Sequence, residues 1–209
     1  MKKAILGKKL GMTRIFDEND IAVPVTVVQC GPMTVVDTRT VENNGYSAVV
    51  CAYEEIKEGK LNKPEAGLYK KVKAKPARFL REFRYENAAD YSVGSVIDCE
   101  MFADGDMVDV SGMTKGRGFT GVIKRWNHHR LKMTHGTGPV HRSVGSTGAN
   151  SNPSRRIKNL KMPGQYGHEK VTIQNLKVVK VDKARNVLLI RGAVPGPKGG
   201  LVTVKETVK

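Results

Sequence analysis

Four histidines, His128, His129, His135 and His141, stand within one short stretch of the chain. Imidazoles so grouped can hold a metal, move a proton or stack on a nucleobase. A metal site is disfavoured, because no cysteine accompanies them and Arg130, Lys132 and Arg142 beside them would repel a cation. A nuclease would need a carboxylate to orient a histidine, and Glu169 is the only acid between Ser111 and Lys170. Stacking on bases and hydrogen bonding to phosphate or 2′-hydroxyl groups needs neither. Upstream, Gly116-x-Gly118-x-x-Gly121 matches the letters of a dinucleotide fingerprint. The strand–helix context of that fingerprint is missing, and Lys115 and Arg117 interleave the glycines. Glycines between cations let a backbone approach phosphates closely while the cations supply charge.

The charge distribution gives these residues their setting. The chain carries a net charge of +16, which disfavours a compact state unless a polyanion neutralises it. From Ser111 to Lys170 there are twelve Lys and Arg against Glu169 alone. The other 149 residues hold 24 basic and 19 acidic side chains, so the excess is concentrated in one segment. That segment also holds all five histidines, the single tryptophan and ten of the 22 glycines. Candidate contacts to nucleic acid are Lys115, Arg117, Lys124, Arg125, His128, His129, Arg130, Lys132, His135, His141, Arg142, Arg155, Arg156, Lys158 and Lys161. Trp126 can pack on a base, brace the loop or enter a core. The run from Asn150 to Gly167 has almost no apolar periodicity, so alone in water it should be disordered.

The elements that must position this segment read as strands. Thr13–Phe16 and Ile21–Val28 form a hairpin about Asp17–Asp20, with Pro24 marking an unpaired edge or a bulge. Met33–Thr38 and Tyr46–Tyr53 flank Asn43-Asn44-Gly45, a hairpin signal. Ser95–Phe102, the Asp104-Gly105 turn and Met107–Val110 repeat the pattern. After the basic segment come Val171–Val181, a turn at 182–186, Val187–Ile190, the Pro/Gly loop 195–200 and Leu201–Thr207. Residues 54–90 interrupt the strands; Pro76 with Phe79, Leu80 and Phe83 predicts one short amphipathic helix there, presenting Arg78, Arg81 and Arg84. Residues 1–110 and 171–209 therefore read as a β body with a partly helical insertion at 54–90. Residues 111–170 read as a basic extension that leaves the body and returns.

Other classes recede on composition. No run approaches the roughly 20 apolar residues of a membrane helix, and the apolar run at the N-terminus is broken by Gly7, Lys8 and Lys9, unlike a signal peptide. Cys30, Cys51 and Cys99 are scattered, lack CxxC spacing and sit in apolar runs, as buried thiols of a reducing compartment do.

Taken in order, several motifs resemble one family. They are Leu6-Gly-Lys-Lys-Leu-Gly-Met-Thr-Arg-Ile-Phe16, Asn62-Lys-Pro-Glu-Ala-Gly67, Val108-Asp-Val-Ser-Gly-Met-Thr-Lys-Gly-Arg-Gly-Phe-Thr-Gly121, Val122-Ile-Lys-Arg-Trp126, His141-Arg-Ser-Val-Gly-Ser146 and Val187-Leu-Leu-Ile-Arg-Gly-Ala-Val-Pro-Gly196. The chain resembles, over essentially its whole length, the universal third-protein ("L three") family of the large ribosomal subunit in its bacterial form. The resemblance implies a mainly β fold: a small β-barrel with an α-containing insertion and a long, irregular basic extension threading ribosomal RNA toward the peptidyl transferase region. It implies early RNA binding and support of subunit assembly, without catalysis and without a cofactor, metal or small-molecule substrate. Its partners would be large-subunit RNA and neighbouring ribosomal proteins, in the cytoplasm and away from any membrane. Lys8, Lys9 and Arg14, within the first motif, join the expected RNA-binding set. Some bacterial members carry a methylated glutamine on this loop; the counterpart here is Asn152, so that modification is not carried over.

Two other readings compete. A free-standing DNA architectural protein explains the charge alone, and sedimentation with the large subunit separates it from a ribosomal component. An RNA-processing enzyme using the histidines predicts cleavage lost in His135→Ala and His141→Ala.

Overall fold

The computed structural model describes residues 1–208. In chain order its strands and helices are β1 (Ala4–Phe16), β2 (Ala22–Cys30), β3 (Met33–Arg39), α1 (Val41–Asn44), β4 (Ala48–Glu55), α2 (Lys63–Val72), β5 (Ala77–Phe83), β6 (Val96–Ile97) and β7 (Met107–Met113). They continue with β8 (Phe119–Thr120), α3 (Val122–Trp126), β9 (Gly164–Gln165), β10 (Lys170–Asp182), β11 (Val187–Arg191) and β12 (Leu201–Glu206). The chain divides into two compact units, Met1–Met113 with Lys170–Lys209, and Thr114–Glu169.

The first unit is built on a closed antiparallel barrel in the order β1-β12-β7-β10-β11-β2. Alternation fills it: in β12 Val202 and Val204 point inward, and in β7 Val108 and Val110 do. Both pairs are essentially fully buried, as period-two apolar residues on a closed sheet must be. β1 is long enough to pair with β12 through Ala4–Lys8 and with β2 from Gly7 to Phe16, and its register shifts between Lys9 and Gly11. Gly7 permits the close approach of these strands: a Cβ there would sit 2.7 Å from Val28 Cγ1 and 2.8 Å from Cys30 Sγ.

A four-stranded sheet, β5-β4-β3-β6, completes this unit and shares its core. Ile5, Leu6, Met33, Val49, Phe83, Leu188 and Ile190 belong to one buried cluster, each side chain contributing roughly 1.5–3 kcal/mol by burial. Tyr85 donates its hydroxyl to the Ala4 carbonyl (2.5 Å) and Tyr53 to that of Gln29 (3.0 Å), so both phenols are satisfied inside. A smaller cluster of Val36, Ala52, Tyr69 and Ala77 lies beneath α2. All three cysteines are buried and free. Burial pushes the Cys51 thiol up to about 12 and raises that of Cys30 as well.

The hairpin about Asp17–Asp20 forms, with Phe16 opposite Ala22. Pro24 lies just before the β2–β11 ladder, which begins at Val25, so its missing N–H leaves no gap in that ladder. Three expectations are corrected. β3 and β4 do pair, but the link is not a tight Asn-Gly turn: Val41–Asn44 makes a helical turn capped by Gly45 at φ 79°. Ser95–Phe102 does not form a hairpin with Met107–Val110. Both edges of β7 are taken by β10 and β12, so Val96–Ile97 pairs with β3 instead, while Cys99 and Phe102 turn into the core.

The third correction concerns Pro76–Phe83, which is strand β5 and not a helix. Phe79 packs on the main cluster and its neighbour Leu80 on the smaller one. Burying consecutive residues in opposite directions suits a strand and not one face of a helix. The helix of the insertion is α2, where the Glu65 carboxylate accepts the Asn62 N–H (3.4 Å) in a capping box. Arg78 and Arg84 then lie over the rings of Phe79 and Tyr46, at 5.3 and 4.6 Å.

Candidate nucleic-acid interface

The second unit, Thr114–Glu169, starts as a narrow two-stranded neck. Thr114 donates its N–H to the Glu169 carbonyl (2.9 Å), Arg117 to that of Tyr166 (2.8 Å) and Tyr166 to that of Gly118 (3.0 Å). β8 and β9 continue the ladder with Phe119 opposite Gln165. The glycines of the neck act through backbone geometry: Gly118 has φ 63° and Gly167 φ 73°, and a Cβ on Gly167 would run into the Lys115 carbonyl. Lys115 and Arg117 are exposed between them.

α3 follows, with Val122 buried and Asn127 ending it in the left-handed region. Arg125 Nη1 and Trp126 Nε1 both donate to the Met162 carbonyl, each at 2.9 Å, and the guanidinium lies 5.0 Å from the indole centroid. Trp126 is therefore a brace, one of its three sequence-level readings. Trp126 is 39% exposed. Gly164 makes room for this clasp, since a Cβ there would be 2.6 Å from Arg125 Nη1.

Beyond the clasp the segment is open. Lys124, His129, Arg130, Lys132, His135, Arg142, Arg155, Arg156, Lys158 and Lys161 are exposed, and His128 and His141 are half-buried. No residue from 123 to 166 is buried. Among the described residues every recorded ion pair lies in the first unit, and none involves Thr114–Glu169. Eleven cations there face one carboxylate, Glu169. No group of three or more His, Cys, Asp or Glu residues able to hold a metal occurs among the described residues. His141 is held by a backbone bond, its carbonyl accepting the Leu131 N–H at 3.0 Å.

The three expected contacts on the body behave differently. Lys8 pairs with Glu54 (2.9 Å), and Lys9 donates to the carbonyls of Val194 (2.7 Å) and Gly196 (3.2 Å). Arg14 is exposed on β1. Charge counting also passed over an apolar component of the extension. Phe119 (80% exposed), Met133 and Ile157 (69% each) project into solvent. Their signal was present: large apolar residues without helical or strand periodicity have no core to enter.

A closed antiparallel barrel in one unit, and a second unit whose eleven cations meet a single carboxylate, suit a polyanion-binding scaffold. A family model, Ribosomal protein L3, matches residues 82–187. The large ribosomal subunit protein uL3 of Petrotoga mobilis is 52% identical over 207 residues, covering 99% of this chain and 96% of that one. Its counterpart in Acetivibrio thermocellus is 51% identical over 210 residues, covering 100% and 99%. The chain belongs to the ribosomal protein L3 family. It is thus a ribosomal, RNA-binding structural protein and not an enzyme, and the histidine-nuclease reading falls away.

Proposed function

We propose that residues 111–170 form an extension that penetrates large-subunit ribosomal RNA, while residues 1–110 and 171–209 form the body from which it is held. The carrying observation is the lack of internal ion pairs in Thr114–Glu169, where eleven cations await an external counter-charge. Lys115, Arg117, Lys124, Arg130, Lys132, Arg142, Arg155, Arg156, Lys158 and Lys161 bind phosphates in this reading. His128, His129, His135 and His141 stack or hydrogen-bond, and the exposed part of Trp126 packs on a base. Arg125 works chiefly by holding the Met162 carbonyl. Lys8, Lys9 and Arg14 extend the footprint onto the body; Lys8 and Lys9 contribute less, because both already serve contacts inside it.

Supplying counter-charge and shape to RNA that is still folding favours early subunit assembly, and an extension reaching the interior would brace RNA near the peptidyl transferase region. Neighbouring ribosomal proteins complete the partners, in the cytoplasm. No helix among the described residues is long and apolar enough to cross a membrane. The test is a salt titration of binding to purified large-subunit RNA. Arg155→Ala with Arg156→Ala should lower the slope of log K against log salt by about 0.9 per lost phosphate contact, and an unchanged slope removes the phosphate assignment.

A further inference from the structure

On the outer face of the barrel, three strands place their outward residues in register. Thr203 stands opposite Ser111, and Ser111 opposite Thr172, across β12, β7 and β10. The Ser111 and Thr172 hydroxyls are 2.7 Å apart. The adjoining row ends in Met113 opposite Lys170, the residues at which the body strands continue into the basic extension. Lys205 lies two residues beyond Thr203 on the same face. Beside this floor runs β5, the edge strand of the second sheet, contributing Arg81 and Glu82. Arg81, Glu82, Ser111, Met113, Lys170, Thr203 and Lys205 line a groove of about 240 Å³.

The electrostatics of this groove differ from those of its neighbour. In the groove lined by Lys8, Glu54, Glu55 and Lys75, each lysine is paired with a carboxylate, Lys8 with Glu54 at 2.9 Å and Lys75 with Glu55 at 3.0 Å. Arg81, Lys170 and Lys205 have no such ion pair among the described residues. The carboxylates nearby serve other groups. Glu82 is hydrogen-bonded to Tyr46, whose hydroxyl it holds above the usual phenol range, and Asp109, opposite Lys205, accepts the Asn175 N–H at 3.0 Å. Three cations without ion pairs, above a row of hydroxyls, offer charge and hydrogen-bond donors to tetrahedral oxyanions.

We propose that this groove, which lies wholly within the unit formed by Met1–Met113 and Lys170–Lys209, binds the sugar–phosphate backbone of a ribosomal RNA strand. It rests on the RNA-binding reading of the extension but uses none of the side chains given phosphate or base contacts there. Separate backbone phosphates seat against Lys170 and against Lys205 with the Thr203 hydroxyl, and Arg81 closes the groove from the β5 side. The apolar side chains of Met113 and Leu201 line the same groove and suit a ribose face. An acidic protein segment is the competing occupant. It would engage the same cations without contributing to RNA affinity.

The test uses the full chain carrying Arg81→Gln, Lys170→Gln and Lys205→Gln, titrated with salt against purified large-subunit RNA. The slope should fall by about two to three units, additively with Arg155→Ala/Arg156→Ala, and Lys170→Arg with Lys205→Arg should restore most of the fall due to those two positions. Circular dichroism should show nearly unchanged melting, because Arg81 and Lys170 are exposed and Lys205, half-buried, has no ion pair to lose. If the groove variant binds with the wild-type slope while the extension variant loses slope, the groove proposal is overturned and the extension reading stands. The same pattern with loss of incorporation into subunits assigns the groove to a protein partner, which also overturns it. If the groove variant loses slope and the extension variant does not, the extension reading fails and the groove survives.

Discussion

The barrel body and the extension solve opposite physical problems with one chain. The body buries apolar residues in a shared core and pairs Lys3, Lys8, Lys75 and Lys183 with carboxylates of its own. The extension buries Thr120, Val122 and Gly167 and pairs none of its cations internally. A segment so built gains little by folding alone, because few contacts offset its ordering entropy. On the proposed function, stability and RNA affinity are carried by separate residues, so each can be damaged without the other.

The largest expected effect falls on the body. Phe83→Ala should cost about 3–5 kcal/mol in denaturant unfolding, whereas Leu160→Ala in the extension should stay within about 0.5 kcal/mol. Comparable losses at the two sites would break the comparison. Next comes the neck. Gly167→Ala places a Cβ against the Lys115 carbonyl at a positive φ, so it should reduce RNA affinity at least about tenfold, roughly 1.4 kcal/mol, while leaving the thermal melting of the body unchanged. Trp126→Phe removes the Nε1–H bond to Met162, worth about 0.5–1.5 kcal/mol. It should loosen the clasp, seen as faster amide exchange around Met162, with a smaller loss of affinity.

The smallest effect is a pH dependence confined to the body. Burial alone would raise the Asp106 carboxyl, but the Ala103 N–H and the Lys3 ammonium outweigh it and hold the group below its ordinary value of 3.8. A carboxyl lowered by folding stabilises above its unfolded pKa, and that share is lost as pH falls through the folded value. Asp106→Asn should therefore lower stability at neutral pH and flatten its decline below about pH 4. An acid profile identical to wild type would remove this assignment.

Much of this contrast was legible in the sequence. Segregation of charge marked the cationic segment, and short apolar runs bounded by turn residues marked strands at Met107–Val110 and Leu201–Thr207, where strands form, because such patterns are local. The errors arose where tertiary pairing decides. Nothing in Phe79, Leu80 and Phe83 reveals that β4 offers an edge, so helical spacing prevailed over the strand that forms. The true helix carried a readable signal, Asn62 and Glu65 three residues apart with Pro64 between them. The strand partner of Val96–Ile97 could not be read, since β7 is already saturated by strands far along the chain. In the extension, residue types marked the cations and histidines, but the joint hold of Arg125 and Trp126 on a single carbonyl appears only in three dimensions.

The central claim is that the body folds by itself and the extension is ordered by RNA. Amide hydrogen exchange on the full chain, with and without purified large-subunit RNA, tests it directly. Amides of Ile5, Val28 and Leu188 should be strongly protected in both states. Amides from Thr134 to Lys161 should exchange almost freely without RNA and become protected with it. Strong protection of that stretch in the free protein, or none gained on binding, would contradict the account.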